Sequence, residues 1–584
     1  MQYRELSKYF ELVEGTPKRL EMIDHLVELF RSIPKDEIDK VCYMSLGQIY
    51  PAYTGFDLGV AEKLAIRAMS IASGRDAREI SESYKQIGDL GKTMEKMLET
   101  KSQQILSFEP LTVTTVYDTL DRIARATGKG TQDIKIRLLA GLLSRAAPVE
   151  AKYILRTVIG KLRLGIADMT LLDALAIVYG GGKESRPEIE RAYNLTSDIG
   201  YVAKLLAEQG LEGVRKSEIT LGKPIKPQMA ERLKDLGEIM EKLGGKCAAE
   251  YKYDGIRIQA HVSPEEVFLF SRRQENVTDQ FPDLVSTLKD AMEADTAVLD
   301  GEAVPVDPNT GDMLPFQVVS QRRGRKYDLQ RITEEVPVVL FLFDALMVDG
   351  EDLTNQSYMS RTGRLKHIVR EGGNVKIANR LVSESAGEIE SFFEKAINDG
   401  TEGLVCKSIA EETPYEAGKR GWMWIKWKRS YRSEMADTVD LVVVGAFAGR
   451  GRRAGMYGAL LMAAFDDEEG TYDTVCKLGS GFTDEALSEL PGMLAPFVSQ
   501  TRDKSVNALI EPDTWFFPKI VMEVIGDEIT LSPIHTCAHD VLREGSGLAI
   551  RFPRLVRYRE DRTPEDATTV KELVKLYKLQ LKQV

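Results

Sequence analysis

A lysine followed by a turn is the first feature of this sequence that could do chemistry. Lys252 stands in the strand-like run Ala248–Val262, just before the turn-prone pair Asp254 and Gly255. A deprotonated lysine amine is a nucleophile, and a tight turn beside a rigid strand would hold it in one place. A lysine in a strand more often extends its amine to solvent, so this pattern indicates a reactive amine only if other residues support it.

Positive charge is concentrated in short stretches, although the chain as a whole is acidic. The net charge is −12 and the pI is about 5.3. An acidic average argues weakly against a nucleic-acid partner, but local basic tracts fit an enzyme that holds a polyanion along a track. The basic tracts are Arg322–Lys326, Lys419–Arg432, Arg450–Gly455 and Arg551–Arg562.

Other patterns are weaker signals of function. Gly91–Thr93 is similar to part of a phosphate-binding loop, but Gln86 occupies the position that requires glycine. The segment His535–His539 lacks the second ligand pair that a structural zinc site usually has. The scattered cysteines favour reduced thiols and a cytoplasmic location.

The chain has 584 residues, a length that predicts two to four domains. Three patterns of side chains along it indicate the elements that must position these residues. Residues 1–216 have apolar side chains at three- and four-residue spacing and predict an all-helical domain. Residues 217–436 mix strand-like runs with helices and predict an α+β domain. Residues 437–584 predict a small β-barrel followed by a helix. Without an apolar run of about 20 residues, no membrane span is expected.

Local signals predict some of the element boundaries. We expect Thr131 to be the N-cap of one helix and Pro148 to open the next. Thr563 and Pro564 are expected to begin the final helix. The two prolines within Gly222–Ala230 indicate a linker.

Further stretches resemble, in family order, the motifs of the covalent nucleotidyltransferase superfamily, which contains ATP-dependent DNA ligases and mRNA capping enzymes. With Lys252–Arg257 there are seven matches, too many for coincidence. The helical segment before them resembles the DNA-binding domain of archaeal and eukaryotic-type ATP-dependent DNA ligases, and the segment after them resembles the OB-fold domain of those enzymes. The other matching stretches are Ser271–Thr278, Leu299–Val304, Phe341–Gly350, Glu402–Lys407, Trp424–Lys428 and Arg551–Arg562.

The resemblance implies a reaction in three in-line displacements. Lys252 attacks the α-phosphorus of ATP and becomes lysyl-AMP, the AMP passes to the 5′-phosphate of a nick in duplex DNA, and the 3′-hydroxyl then seals the strand. Surrounding cations are expected to lower the pKa of Lys252. Replication, repair and recombination are the implied settings. The implied ATP-binding residues are Glu250, Arg257, Arg272, Glu302, Phe343, Arg420, Lys426 and Lys428.

The same resemblance implies individual roles in the ATP site. Glu302 is expected to contact the ribose hydroxyls, and Glu302 and Glu402 to bind Mg²⁺ through carboxylate oxygens. Glu250 is expected beside the adenine. Phe341 and Phe343 share a strand face, and the resemblance selects Phe343 as the ring that stacks on the base.

The sequence indicates fewer residues for DNA contacts than for the ATP site. Lys129, Lys161 and Arg163 stand in glycine-containing stretches of the helical segment and are candidates for backbone contacts. A hinge is expected near Glu434–Asp437, because the OB-fold domain must close first on ATP and then on DNA. We expect a monomer, and the sequence leaves open whether a sliding clamp recruits it.

Other enzymes that share the central motifs are the alternatives to a DNA ligase. A capping guanylyltransferase or RNA ligase would lack the helical segment. An NAD⁺-dependent ligase would be expected to carry cysteine-rich zinc ligands after its OB fold. A non-catalytic DNA clamp would not need the set of Lys252, Glu302 and Glu402. The sequence therefore favours an ATP-dependent DNA ligase.

Overall fold

The computed structural model describes residues 1–100, 109–306, 313–314, 316–322, 329–428, 437–449, 456–526, 528–551 and 553–582. Met1–Ser83 and Leu90–Lys428 form one compact unit, and the remaining residues form a second. The basic tract Arg450–Gly455 and all of the expected hinge except Asp437 lie outside the described residues.

Amphipathic helices make up the chain before the linker, as the apolar spacing predicts. In the first helix the fully buried side chains Tyr3, Leu6, Phe10 and Val13 recur every three or four residues. This spacing places them on one face, which packs into the core. The described helices are α1 (Tyr3–Glu14), α2 (Arg19–Ser32), α3 (Ile38–Ser45), α4 (Glu62–Ser73), α5 (Ala77–Ile87), α6 (Leu90–Glu99), α7 (Val113–Arg125), α8 (Thr131–Arg145), α9 (Pro148–Val158), α10 (Asp168–Tyr179), α11 (Arg186–Thr196) and α12 (Ile199–Arg215).

The predicted helix boundaries are only partly correct. The helix α9 begins at Pro148, as expected. Thr131 is the first residue of α8 rather than its cap, because Gly130 adopts the left-handed conformation, with φ of 84°, at the N-cap position. Pro564–Asp566 forms a 3₁₀ turn, and the final helix begins later, at Val570.

Two sheets form the middle of the chain. The first has the strand order β1-β11-β10-β2-β9, and the second has the order β4-β3-β5-β6-β7, with β8 beside β6. Their elements are β1 (Met229–Arg232), α13 (Leu236–Lys242), β2 (Cys247–Tyr251), β3 (Ile256–Val262), β4 (Val267–Ser271), α14 (Pro282–Ala291), β5 (Ala297–Pro305), α15 (Phe316–Val319), α16 (Leu329–Glu335), β6 (Val338–Val348), β7 (Glu351–Asp352), α17 (Tyr358–Ile368), β8 (Val375–Ile377), β9 (Arg380–Ser383), α18 (Ala386–Asn398), β10 (Gly403–Ser408) and β11 (Arg420–Lys428).

Helices cover one face of each sheet and leave the other face for a site. Ile239 of α13 and Ile389 of α18 pack on the first sheet, where they are fully buried. Leu284 of α14 and Leu365 of α17 pack in the same way on the second sheet. The uncovered faces carry polar and charged side chains, which is where a cleft can form.

The linker Gly222–Ala230, which follows α12, is fixed by contacts with the helical segment. Ser197 Oγ donates to the carbonyl oxygen of Pro224 at 2.6 Å. Lys226 Nζ forms an ion pair with Asp168 at 2.8 Å. These contacts tie the helical segment to the chain that enters the first sheet.

The second unit is strand-rich with a curled sheet. One edge of β12 pairs with β18 and β17 in succession, while its other edge pairs with β13. A second, two-stranded sheet joins β19 and β20. The elements are β12 (Val439–Ala448), β13 (Tyr457–Asp466), β14 (Thr471–Leu478), α19 (Asp484–Leu494), β15 (Val498–Ser499), β16 (Val506–Asn507), β17 (Thr514–Phe516), β18 (Val521–Ile525), β19 (Glu528–Ser532), β20 (Gly547–Arg551), β21 (Arg554–Tyr558) and α20 (Val570–Lys582).

The structure bears on the expectations about membrane spans and cysteines. Within the part of the chain that the structure describes, no helix has the length and apolar character needed to cross a bilayer. All five cysteines are free and buried.

Candidate active site

Lys252 lies in a cleft of about 490 Å³ between the two central sheets. It is the first residue after β2, and its backbone is fixed on both sides. Lys252 N donates to the carbonyl oxygen of Gly403 at 2.8 Å, and Glu402 N donates to the carbonyl oxygen of Lys252 at 2.9 Å. The sequence-predicted residues that line this cleft are Glu250, Lys252, Arg257, Arg272, Glu302, Phe343, Glu402, Lys426 and Lys428.

Gly255 is required by a close backbone approach between β3 and β5. A Cβ at this position would lie 2.3 Å from the carbonyl oxygen of Ala303, closer than real contacts allow. The neighbouring Asp254 accepts a hydrogen bond from Phe316 N at 3.0 Å through Oδ2. The segment after Lys252 is therefore held on both sides.

The charge around Lys252 is the reverse of what the sequence suggested. Burial alone would lower the pKa of Lys252, but its ion pair with Glu402 and the negative charges of Glu302 and Asp254 raise the pKa above its usual value. The expectation of a lowered pKa was wrong for the nucleotide-free protein. The reason is that acids, rather than cations, stand closest to the amine.

The pKa values of Glu302 and Glu402 are shifted in opposite directions, although the two residues share the cleft. Burial, with a smaller contribution from Glu402 and Asp254, raises the pKa of Glu302 to about 7. Glu402 is half-buried, and although burial would raise its pKa, Lys252 and Lys428 hold that pKa below the usual range. Lys428 Nζ lies 2.6 Å from Glu402 Oε2.

One wall of the cleft is aromatic. Phe343 lines the cleft, and its ring meets Trp424 edge to face, with the ring centroids 6.1 Å apart. Phe341 lies instead in the core, where it stacks on Tyr253 at 4.1 Å. The two phenylalanines therefore have different surroundings, and the ring available to a ligand is Phe343.

Glu250 lies in the same wall and is almost completely buried. Its carboxylate accepts a hydrogen bond from the hydroxyl of Tyr358 and forms an ion pair with Lys407. The Lys407 ammonium also lies 4.6 Å from the ring centroid of Phe343 and 4.2 Å from that of Trp424. Glu250 is thus a fixed carboxylate rather than a mobile one.

Arg257 lines the cleft, but its guanidinium is occupied by protein groups. It donates to both carboxylate oxygens of Asp300, at 3.2 and 2.6 Å, and to the carbonyl oxygen of Gln228 at 2.6 Å. Burial would lower the pKa of Arg257, but Asp300 raises it above its usual value. Arg257 therefore stays charged beside the cleft.

The remaining predicted cations have different positions. Burial and the charges of Arg420 and Lys428 lower the pKa of Lys426. Arg420 is exposed at the start of β11 and affects the cleft through its charge rather than as part of the wall. Arg322, at the start of a predicted basic tract, is fully buried in an ion pair with Asp283 at 2.8 Å, so it cannot serve a polyanion track.

The candidate DNA contacts lie on the surface of the helical segment. Lys129 is exposed in the loop before α8. Arg163 is exposed and adopts a left-handed backbone conformation, with φ of 61°. Lys161 forms an ion pair with Glu62 at 3.1 Å.

Several cleft residues were not selected from the sequence. Lys407 and Trp424 are the main examples, and strand alternation could have found both. Lys407 follows Val405 at a two-residue interval on β10, and Trp424 precedes Lys426 in the same way on β11, so each faces the cleft with its neighbour. Tyr358 has no such signal, because it reaches Glu250 from a helix 108 positions away.

Comparisons with known proteins agree with this fold along the whole chain. Family models match for the DNA ligase N terminus at residues 2–176, the ATP dependent DNA ligase domain at 227–428, and the ATP dependent DNA ligase C terminal region at 453–562. "DNA ligase 2" of Thermofilum pendens is 51% identical over 99% of this chain and 98% of its own length. "DNA ligase" of Staphylothermus marinus is 48% identical over 100% of both chains.

Solved structures support the fold at lower identity. The structure described as "Pmar-Lig_Pre." is 16% identical, with a TM-score of 0.55 over 95% of this chain and 99% of its own. The structure described as "Pmar-Lig_PreS3" is 17% identical, with a TM-score of 0.53 over the same shares.

The middle of the chain is a nucleotidyltransferase domain, placed between a helical N-terminal region and a strand-rich C-terminal domain. The chain belongs to the ATP-dependent DNA ligase family. Its substrates are accordingly ATP and nicked DNA, and its activity is the sealing of nicks.

Proposed function

We propose that the cleft around Lys252 carries out all three steps of ligation. Lys252 Nζ attacks the α-phosphorus of ATP, so that an N–P bond forms and the bond to pyrophosphate breaks. The 5′-phosphate of a nick then takes the AMP from Lys252. Finally, the adjacent 3′-hydroxyl attacks that 5′-phosphate, and AMP leaves as the strand is sealed.

The observation that carries this proposal is the position of Lys252. Its backbone is held by Gly403 and Glu402, and its amine enters a cleft that also contains Lys426 and Lys428. A fixed amine can be placed in line with a leaving group. The neighbouring lysines can neutralise the phosphate oxygens as charge moves to pyrophosphate.

The remaining walls of the cleft fit the parts of ATP. Phe343 is proposed to stack on adenine, Glu250 to lie beside the base, and Glu302 to bind the ribose. Arg272 and Lys428 are proposed to contact phosphates. Arg257 stays charged beside the cleft and is proposed to act through its charge, since its guanidinium already donates to Asp300 and Gln228.

We propose that Glu302 and Glu402 hold Mg²⁺. The crowding of carboxylates that contributes to the raised pKa of Glu302 fits a divalent cation. Among the described residues no three His, Cys, Asp or Glu side chains form a ready metal site. Mg²⁺ is commonly bound through one or two carboxylates together with substrate phosphates and water. When bound, Mg²⁺ supplies positive charge to the triphosphate.

The three regions of the chain are proposed to have separate roles. Residues 1–216 are proposed as the DNA-binding domain, with phosphate contacts from Lys129, Lys161 and Arg163. Residues 217–436 are proposed as the adenylylation domain and residues 437–584 as an OB-fold domain. We propose that the protein acts as a cytoplasmic monomer in replication, repair and recombination.

The test is an adenylylation assay. Wild type and Lys252→Ala are incubated with α-labelled ATP or GTP and Mg²⁺, and then with nicked duplex DNA. Wild type is expected to take up label from ATP and to seal the nick, and Lys252→Ala to do neither. A labelled adduct with GTP alone, or sealing by Lys252→Ala, would overturn the proposal.

A further inference from the structure

A buried tyrosine behind the cleft holds one of its wall residues. Tyr358, the first residue of α17, is 1% exposed. Its hydroxyl contacts Glu250 Oε1, while the ammonium of Lys407 contacts Glu250 Oε2. Glu250 lines the cleft, so Tyr358 reaches a ligand only through that carboxylate. Each carboxylate oxygen thus has one protein partner and keeps further acceptor capacity.

The direction of the hydroxyl hydrogen follows from the neighbours of Tyr358. Arg380 Nη1 lies 3.4 Å from the tyrosine oxygen and 2.5 Å from Thr362 Oγ1. Arginine can only donate, so the tyrosine oxygen accepts from Arg380 and its hydrogen is directed to Glu250. Burial and the charge of Glu250 also raise the pKa of Tyr358 far above its usual value, so the phenol keeps its proton.

A fixed carboxylate can distinguish two purines. An ionised carboxylate is an acceptor only. Adenine carries an exocyclic amine, which donates, at the position where guanine carries a carbonyl oxygen, which accepts. A carboxylate beside that position stabilises adenine and repels guanine, and the discrimination grows with the precision of its placement, because a mobile carboxylate could turn away.

We propose that Tyr358 is a positioning residue for nucleotide recognition, which orients Glu250 to accept a hydrogen bond from the exocyclic amine of adenine. The inference rests on the proposed function, in which Glu250 lies beside the base. Lys407 secures the second oxygen of Glu250, and Arg380 orients the hydroxyl of Tyr358. Selection of ATP over GTP therefore depends on a side chain that touches no nucleotide.

Tyr358→Phe is the direct test, because it removes the hydroxyl and keeps the ring. The rate of adduct formation at Lys252 is measured against the concentrations of ATP, GTP and purine riboside 5′-triphosphate, which lacks the exocyclic amine. We expect the KM for ATP to rise about tenfold, as for loss of one charge-assisted hydrogen bond, with a nearly unchanged maximal rate. The KM for purine riboside 5′-triphosphate is expected to stay the same, and the preference for ATP over GTP to fall.

The matched control is Tyr153→Phe. Tyr153 is also a buried tyrosine, and it donates to Glu14, which is bound by Arg156. This cluster lies between α1 and α9, in the helical segment. Tyr153→Phe is expected to leave the KM for all three nucleotides unchanged.

The outcomes separate the inference from the proposed function. An unchanged KM for ATP in Tyr358→Phe, or an equal rise with both ATP and the purine riboside analogue, would overturn the positioning role. If Tyr358→Phe does not fold, as judged by its thermal unfolding, Arg380→Gln is measured instead and must raise the KM for ATP but not for the analogue. Failure of wild type to form an adduct at Lys252 would refute the proposed function itself.

Discussion

Lys252 and Glu402 are joined through both their backbones and their side chains. Glu402 N donates to the carbonyl oxygen of Lys252 at 2.9 Å, and the Glu402 carboxylate forms an ion pair with the lysine amine. The pair fixes the amine in the cleft and keeps it protonated in the nucleotide-free protein. Because only a deprotonated amine attacks phosphorus, the arrival of ATP must change this pairing before the first step can occur.

Phe343 and Phe341 should respond differently to truncation. Phe343→Ala removes a ring that faces the cleft, so we expect the KM for ATP to rise about tenfold or more with little change in stability. Phe341→Ala removes a core ring stacked on Tyr253, so the free energy of unfolding should fall by about 3–5 kcal/mol. Adduct kinetics and urea unfolding of the two variants check this, and a reversed pattern would refute the assignment.

Gly255 should tolerate no side chain. Gly255→Ala places a Cβ 2.3 Å from the carbonyl oxygen of Ala303, so β3 and β5 must separate at a cost of about 1–3 kcal/mol. The shift should also slow adduct formation at Lys252. Gly363→Ala is the control, because a Cβ there meets nothing within 4 Å in α17, and it should stabilise the protein by about 0.5–1 kcal/mol. Equal unfolding energies for the two variants would contradict the close approach.

His261 should make the first unit sensitive to acid. Burial lowers the pKa of His261 to about 3, whereas an unfolded histidine titrates near 6.5. Between these values the unfolded chain binds a proton that the folded chain does not, so stability is present above about pH 6.5 and is lost as the pH falls. His261→Gln should reduce the loss between pH 7 and pH 5 by about 2 kcal/mol.

Urea unfolding at the two pH values measures this difference. His367→Gln, at an exposed position of α17, serves as the control. A loss of stability in His261→Gln as large as in wild type would show that another group causes the acid sensitivity.

Lys129 and Arg163 should contribute to DNA affinity through charge alone. The double variant Lys129→Ala/Arg163→Ala should weaken binding to nicked DNA. It should also reduce the slope of log affinity against log salt by about 2, because each phosphate contact that is lost removes about 0.9 from that slope. Adduct formation with ATP should not change. Lys366→Ala, which removes an exposed cation of α17, is the control. An unchanged salt slope in the double variant would place the DNA elsewhere.

Local patterns in the sequence were enough to predict the three regions, whereas most of the cleft residues came from the family resemblance. Strand alternation places Glu250 and Lys252 on one side, and the structure finds both lining the cleft. The family resemblance, rather than alternation, selected Lys426 and Lys428, which also line the cleft. The placement of Glu250 beside Lys252 depends only on the geometry of one strand.

Predictions that depend on distant partners were less successful. The pKa of Lys252 is raised because Glu402, in the loop just before β10, is its nearest charge. Arg322 was assigned to a basic tract that could hold a polyanion, but it is buried in a pairing with Asp283, 39 positions away. Likewise, Tyr358 contacts Glu250 from a helix that no motif marks. Such pairs are set by the tertiary fold and leave no periodic signal in the sequence.

Mapping of the covalent adduct tests the central claim most directly. The protein is incubated with ATP and Mg²⁺ and digested, and the peptides are sequenced by mass spectrometry. We predict AMP on the side chain of Lys252 in wild type and no adduct in Lys252→Ala. An adduct on Lys426, Lys428 or any other residue, or a protein that seals nicks without one, would contradict the mechanism.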